Sequence, residues 1–544
     1  MGGRILIGAP GSGSGKTLFT CGLLALLRKR GISCRSYKCG PDYIDPMFHK
    51  SVLGVQSGNL DSYFSTPEQI RARVAEETAG VEMTVIEGVM GYYDGLGGDK
   101  TQASAYHIAA ITETPAILVV NGKGAGLSLA ALVQGFAQFR KDSHIAAVVA
   151  NRTSPMMAER LRGPLEELGV AFLGCLPELK DLQLESRHLG LVMPDEVERL
   201  EGGLHRLAEE MERHLDVERL LELAEGCGEI GGRRSPGMDG MAAAGETIAV
   251  DGTAAAGETI AAGGTAAAGE TIAVDGTAVA GETAAAGEMT AMGETVATGG
   301  TLAAGKKMSA TSVHPASQPC TSSIQLHPSP SPTPVPIAVA RDRAFCFYYE
   351  ENLRLLEQYG AKLVEFSPLK DKALPEGVCG LLLGGGYPEL YGAELEANRS
   401  MRENIRMSAI DGLPVLAECG GFLYLKEGLE GTDGRFHAMA GFLKGNSKNA
   451  GRLTRFGYLE LRGLPEGPVR GHEFHYWDCT ENGSLCLAVK PAGGRQWPCM
   501  EKKNNVLAGF PHLYYPSNPR IPETFVETCR KYRAEREARK EGQK

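Results

Sequence analysis

The stretch GAPGSGSGKT, Gly8 to Thr17, constrains the fold of this chain more than any other segment. It follows the apolar run RILI and opens the helical pattern TLFTCGLLALLRKR, so it reads as a loop between a strand and a helix. Small residues there let backbone N–H groups approach phosphate oxygens, and the helix N-terminus adds a favourable field. Gly13 and Gly15 belong to that cradle, Lys16 is spaced to reach the β- and γ-phosphates of ATP, and Thr17 to hold Mg2+. The strict pattern has glycine six positions before Lys16, where this chain has Pro10.

A strand feeding such a loop needs parallel neighbours, and the rest of the chain supplies them. RILIGA, MTVIEG, AILVV and IAAVVAN alternate with helical patterns in the first part, and PIAVARD, AKLVEF, GLLLGGG and LPVLAEC repeat the scheme in the second. This predicts an α/β protein of two doubly wound domains with crossover helices. The 544 residues also exceed what a single core organises.

Between the two parts the sequence changes character. From about Ser235 to Gly305 it is almost entirely Ala, Gly, Thr and Glu, with AGET recurring at Ala244, Ala256, Ala268 and Ala280, and a Ser/Pro/Thr-rich run follows. Such a stretch buries too little apolar surface to offset its ordering entropy, so a disordered linker is expected. The alternative, a small repeat solenoid, lacks the regular bulky residues that stacked repeats bury. The expected boundaries are 1–234, 235–334 and 335–544.

Nine acidic residues and no Lys or Arg lie between Ser235 and Gly305, against a formal net charge of −10. The flanking domains are together close to neutral, and nucleic acid is not an expected partner. No apolar run is long enough to span a bilayer, and MGGRILIGAP carries no signal-peptide pattern. The 13 cysteines form no CxxC pair, which fits reduced thiols in a cytoplasmic protein, and no Cys/His cluster suggests zinc.

Acidic residues mark the same sheet edge as the phosphate loop. Glu87 ends the strand MTVIEG and Asp94 lies in the loop after it, where ligands of open α/β sheets bind and where carboxylates suit magnesium. KCGPDYIDPMFH places Asp42, Tyr43 and Asp45 on another loop flanking that site. Ordinary turn chemistry accounts for this last segment equally well if it is taken alone.

In the second part, GLLLGGGYPEL reads as a buried strand running into glycines whose N–H groups can stabilise an oxyanion. AECGGFLYL then sets Cys419 at a strand end before a helix, where the helix field favours a thiolate. A buried, inert cysteine is the plainer alternative. A nucleophile needs a base, and His472, His475 and His512 are the candidates; spacing does not choose among them.

GGGYPEL, AECGGFLYL, RFGYLEL and GHEFHYW, in this order, resemble the cobyric-acid type of class I glutamine amidotransferase domain. The first part resembles the dethiobiotin-synthetase-like P-loop domain, and GPDYID, IEGVMGYYDG, ESRHLGL and ARDRAFCFYYEENL extend the likeness to all but the linker. The combination is similar to the cobyrinic acid a,c-diamide synthase family of cobalamin biosynthesis.

That resemblance implies a glutamine-dependent ligase in which Cys419 attacks the glutamine amide with His512 as its base. Gly385, Gly386 and the N–H of Gly420 would form the oxyanion site. The family pattern reads His-Leu-His where this chain has Tyr514 as the third residue, and no acidic residue follows as a third member, so a Cys–His dyad is expected. The resemblance further implies that ATP phosphorylates a corrin carboxylate and that ammonia displaces the phosphate, at the a and c positions, in an order the sequence does not give. Lys16 and Thr17 would hold phosphate and Mg2+, with Glu87 and Asp94 on the metal or the reacting phosphate. Asp42, Tyr43, Ile44 and Asp45 would orient the substrate, Asn151 would meet the adenine, and Arg187 and His188 the ring carboxylates.

The implied partners are small molecules (cobyrinic acid, ATP and glutamine), with no nucleic acid, no membrane and a homodimer as one open assembly. Hydrogenobyrinic acid and nickel sirohydrochlorin are the alternative substrates. A partition-type ATPase would carry a second lysine where this chain has Gly11, and a retained but dead glutaminase would not need Cys419.

Overall fold

The strand that leads into the phosphate loop, β1 (Gly3–Gly8), is buried along its whole length, as expected of a central parallel strand covered on both faces. In the computed structural model it is joined by β2 (Cys34–Cys39), β3 (Gln56–Leu60), β4 (Met83–Glu87), β5 (Ala116–Asn121), β6 (Ile145–Asn151) and β7 (Ala171–Leu176). They form a parallel seven-stranded sheet of order β3-β2-β4-β1-β5-β6-β7. The structure describes residues 2–179, 194–228, 230 and 333–542. The repeat segment and the ESRHLGL residues Arg187 and His188 lie outside them.

Helix α1 (Lys16–Lys29) packs Phe19, Leu23, Leu26 and Leu27 inward, and Arg28 and Lys29 in its last turn complement its dipole. All-parallel winding brings the C-terminal ends of β1, β2, β4 and β6 to one edge. Lys38 and Glu87 stand in register there on adjacent strands.

The second half contributes β8 (Val335–Ala340), β9 (Ala361–Phe366), β10 (Gly380–Leu383) and β11 (Val415–Glu418). Then follow β12 (Arg455–Arg462), β13 (Val469–His475), β14 (Cys486–Val489), β15 (Gln496–Cys499), β16 (Glu501–Lys503), β17 (Val506–Gly509) and β18 (His512–Leu513). One six-stranded sheet runs β16-β17-β11-β10-β8-β9, parallel except at its β16 edge. A second, antiparallel sheet of order β15-β14-β12-β13-β18 was not anticipated from the alternating pattern. Two of its five strands, β12 and β13, come from RFGYLEL and GHEFHYW, with no crossover helix between them.

Both halves belong to one compact unit. They meet in a buried cluster that includes Tyr43, Tyr63, Phe64 and Leu96 from the first half and Tyr349 and Tyr514 from the second. Phe64 stacks on Tyr514 with ring centroids 4.9 Å apart. Polar ties flank the rings: Tyr458 donates to Asp61 Oδ2 at 2.8 Å and Arg470 Nη1 to the Tyr63 carbonyl at 2.6 Å. Half-buried Arg73 reaches Glu351 across the same junction. Large aromatic surfaces with satisfied hydroxyls make this a durable seam.

Candidate functional site

At the edge of the first sheet, Gly13 and Gly15 adopt φ of 78° and 99°. Gly15 is required there: a Cβ on it would stand 2.1 Å from Asn151 Nδ2. Asn151 is buried and donates from Nδ2 to the Ser14 carbonyl at 2.8 Å, so its amide braces the phosphate loop. Thr17 Oγ1 donates to Glu87 Oε1 at 2.6 Å. Lys16 Nζ is held by the carbonyls of Gly11 and Met90, and burial and then Lys38 bring its pKa down to about 8.

Lys38, which sequence reasoning passed over, joins this group. Its Nζ lies 2.7 Å from Glu87 Oε1 and 2.5 Å from Asp45 Oδ2. Burial alone would strip its proton, but the two carboxylates hold it well above the usual lysine range. Burial pushes Glu87 up against the pull of Lys38, and Glu87 Oε2 has no hydrogen-bond partner. Burial also pushes Asp45 up, and Lys38 overrides it and holds the carboxyl below its ordinary value.

The other sequence-chosen residues divide. Asp42 Oδ1 accepts from the N–H groups of Ile44 and Asp45 at 2.8 and 3.3 Å, capping α2 (Ile44–Ser51). Asp94 accepts from the Gly91 N–H at 2.9 Å. Tyr43 leaves the phosphate edge altogether: it stacks on Phe347 at 5.0 Å and lies 5.4 Å from the His512 ring, both in the second half.

Cys419 sits between β11 and the short helix α3 (Gly420–Leu425) with φ 47° and ψ −103°, a conformation non-glycine residues avoid. The turn is fixed from both sides. The Cys419 N–H donates to the Gly509 carbonyl at 2.8 Å and the Gly421 N–H to the Gly384 carbonyl at 2.9 Å. The thiol is buried rather than exposed, with only 7% of the residue accessible. Burial, with Glu389 and Glu473 nearby, holds its pKa well above the ordinary thiol value. The six residues of α3 are too few for a helix field to reverse this.

His512 follows on β18. Gly385 packs flat against it, since a Cβ there would stand 2.3 Å from His512 Cε1. A Cβ on Gly420 would stand 3.0 Å from the Gly386 nitrogen, which brings the three glycines of the expected oxyanion site together. Burial lowers the His512 pKa to about 3, so the ring rests neutral. Its Nδ1 has no hydrogen-bond partner, and Glu418 Oε2 lies 3.9 Å away. Glu418 is buried, accepts from Tyr515 Oη at 3.3 Å, and is pushed up to about 8 by that burial. A carboxyl group thus stands beside the histidine, supplied by the residue before the cysteine instead of one after His512.

The two remaining histidines are occupied elsewhere. His472 stacks on His512 at 4.9 Å and pairs with the Tyr349 hydroxyl at 3.1 Å. His475 stacks on Phe510 at 3.8 Å, with Nδ1 2.7 Å from the Trp477 carbonyl.

One cavity of about 910 Å3 lies between the two halves, and Lys16, Thr17, Lys38 and Glu87 are not among its lining residues. Cys419 and His512 line it from the second half, and Asp42, Tyr43 and Asp94 from the first. Its size and largely apolar lining suit a ligand much bigger than an amino acid.

Residues 5–192 match the CobQ/CobB/MinD/ParA nucleotide binding domain family, and residues 336–519 match the CobB/CobQ-like glutamine amidotransferase domain family. The chain is 32% identical to a cobyrinate a,c-diamide synthase of Listeria innocua over 95% of its own length and 97% of that protein's. It is also 32% identical to the enzyme of that name from Salmonella typhimurium, over 97% of this chain and 98% of that one. For the one from Priestia megaterium the identity is 30%, over 98% of both chains.

Proposed function

The chain belongs to the cobyrinate a,c-diamide synthase family, and from that premise we propose that it converts the a and c carboxylates of cobyrinic acid to amides, consuming ATP and taking nitrogen from glutamine. The observation that carries this reading is the shared cavity, with Cys419 and His512 on one wall and Asp42, Tyr43 and Asp94 on the other. In this reading residues 1–234 activate the carboxylate, residues 335–544 release ammonia, residues 235–334 join them, and the enzyme works in the cytoplasm.

In the second half, the Cys419 sulfur attacks the side-chain carbonyl of glutamine while His512 takes the thiol proton. The N–H groups at Gly385, Gly386 and Gly420 face the developing oxyanion. His512 returns the proton to the leaving nitrogen, ammonia departs, and water hydrolyses the thioester to glutamate. In the first half, a substrate carboxylate oxygen attacks the γ-phosphorus of ATP and ADP leaves. Ammonia then attacks the acyl phosphate and releases inorganic phosphate, leaving an amide. Two rounds give the diamide.

Lys16 and the N–H groups around Gly13 and Gly15 hold the phosphates, and Lys38 balances the charge gathered between Asp45 and Glu87. Among the described residues no set of three His, Cys, Asp or Glu is grouped to hold a metal unaided. A magnesium ion on a nucleotide needs fewer protein ligands, and hard oxygens suit it. The Thr17 hydroxyl and the Glu87 carboxylate, whose buried Oε2 has no hydrogen bond and lies 3.8 Å from His49 Nε2, fit that need. Magnesium bound there would neutralise charge on the transferring phosphoryl group.

Mass spectrometry of the protein's products from cobyrinic acid, ATP, magnesium and glutamine tests the proposal. Two added amides with ATP consumed are expected. Unchanged cobyrinic acid, with sirohydrochlorin or hydrogenobyrinic acid amidated in its place, would overturn the substrate assignment.

A further inference from the structure

The cavity's outer wall carries a feature that neither the glutaminase centre nor the phosphate edge uses. The turn between β14 and β15, KPAGGR from Lys490 to Arg495, lines the cavity through Lys490, Ala492 and Arg495. It reaches the first half: a Cβ on Gly97 would stand 3.4 Å from Ala492 Cβ. Three cations gather about Trp497 at the base of this turn. Arg455 lies 5.1 Å from the ring centroid, and Lys490 and Arg495 each lie 5.9 Å from it.

Among the described residues none of these three has a carboxylate within salt-bridge distance, and Glu473 acts on Lys490 from farther off. Arg455 donates to the Thr454 carbonyl and Lys490 to the Phe456 carbonyl, which orients them without neutralising them. Glu473, which accepts from Trp497 Nε1 at 3.4 Å, is a single nearby carboxylate against three cations. Like charges held this close repel, and the arrangement is favourable when an anion joins it. Beside the cations, Phe456 and Phe474 line the cavity 58% and 50% exposed, with ring centroids 5.7 Å apart. Apolar surface left open in a cavity mouth marks a ligand face.

We propose that Arg455, Lys490 and Arg495 around Trp497 form a carboxylate-binding rim which, with Phe456 and Phe474, seats a planar polycarboxylate macrocycle on the amidotransferase half. The inference rests on the ligase reading above and adds where its substrate is held. Lys490 and Arg495 line the cavity on this wall, in the company of Glu389 and Glu473, and Asp42 and Asp94 line it from the first half. Spectator carboxylates are drawn to the rim, and the carboxylate to be activated is the one left facing the phosphate edge. The amidotransferase half therefore both releases ammonia and orients the acceptor.

The chain's two tryptophans give a direct readout, because Trp497 carries the cations and Trp477 lines the cavity. The full-length protein is titrated with cobyrinic acid in the absence of ATP, and tryptophan fluorescence is followed. Saturable quenching is expected of the parent. Arg455→Gln and Arg495→Gln should each raise Kd by about tenfold or more, as for loss of a hydrogen bond to a charged group. Arg495→Lys should recover most of the affinity, and added salt should weaken binding of the parent more than of the Gln variants. Equal Kd in parent and variants overturns the rim and leaves the ligase reading standing. So does diamide formation by a parent that shows no quenching. Absence of both binding and diamide overturns the ligase reading and the rim together.

Discussion

The ring of Tyr43, carried by the nucleotide-binding half, lies 5.4 Å from the ring of His512 in the glutaminase centre. Two residues further on, Asp45 pairs with Lys38, and Lys38 with Glu87 beside the phosphate loop. One short segment therefore touches both the Cys419–His512 site and the phosphate-loop edge, and we propose that it couples them.

Tyr43→Ala should break that link. The expected outcome is glutamate formed in several-fold excess over amide, measured by quantifying both products in one reaction. The variant should also lose about 3 kcal/mol of stability, as for a buried aromatic cut to alanine. A glutamate-to-amide ratio equal to the parent's would show that Tyr43 is packing alone.

Cys419→Ser should lower glutamine-dependent amidation by about 10³-fold or more while amidation from added ammonium salts continues. The strained φ at this position and the buried thiol remain compatible with serine in size. Glutamine-dependent product from this variant would remove Cys419 from the mechanism.

Glu418→Gln keeps an acceptor for Tyr515 and removes the titratable carboxyl beside His512 Nδ1. Glutamine hydrolysis should fall by about tenfold to a hundredfold through kcat above about pH 8, where the parent's carboxyl is ionised and faces the imidazolium formed during attack, and should change little below it. The stability consequence has a definite sign. The Glu418 carboxyl is raised from about 4.5 to about 8 in the fold. Its contribution is fully present below 4.5, declines as the unfolded chain ionises between 4.5 and 8, and is lost above 8. Chemical denaturation should show the parent losing stability relative to Glu418→Gln across that window, on the order of a few kcal/mol. Parallel curves would contradict it.

Tyr514 replaces the second histidine of a His-Leu-His pattern, and the structure supplies a reason. Its ring stacks on Phe64 and its hydroxyl pairs with Ser65 Oγ at 3.2 Å, across the junction between the halves. Tyr514→His should cost about 1–3 kcal/mol and lower the thermal midpoint, with Cys419 chemistry intact. Lost glutaminase activity at full stability would place residue 514 in catalysis instead.

The parts of this molecule that are local in sequence were legible in it. A buried strand, a glycine loop and a helix start at Lys16 are consecutive, and so are β11, Cys419 and α3, so periodicity and turn chemistry suffice to find them. What escaped depends on pairing across the sheet or across the halves. Lys38 meets Glu87 because β2 and β4 are adjacent and in register. Glu418 meets His512 because β11 and β17 pair in parallel with Glu418 opposite Gly509, three residues before His512. Tyr43 sits in a segment whose turn residues are plain to read, but nothing local says that its ring crosses to another half. The signal available for Glu418 was its position next to a strained nucleophile.

We propose that ammonia released beside Cys419 reaches the substrate carboxylate through the cavity that Cys419, His512, Asp42 and Asp94 line, without leaving the protein. The direct measurement supplies glutamine labelled with heavy nitrogen at its amide, together with an excess of unlabelled ammonium, and weighs the product amides. Label retained in both amides is the predicted result. Amides diluted to the isotope ratio of the bulk ammonium would contradict the account, since the nitrogen would then have come from solution.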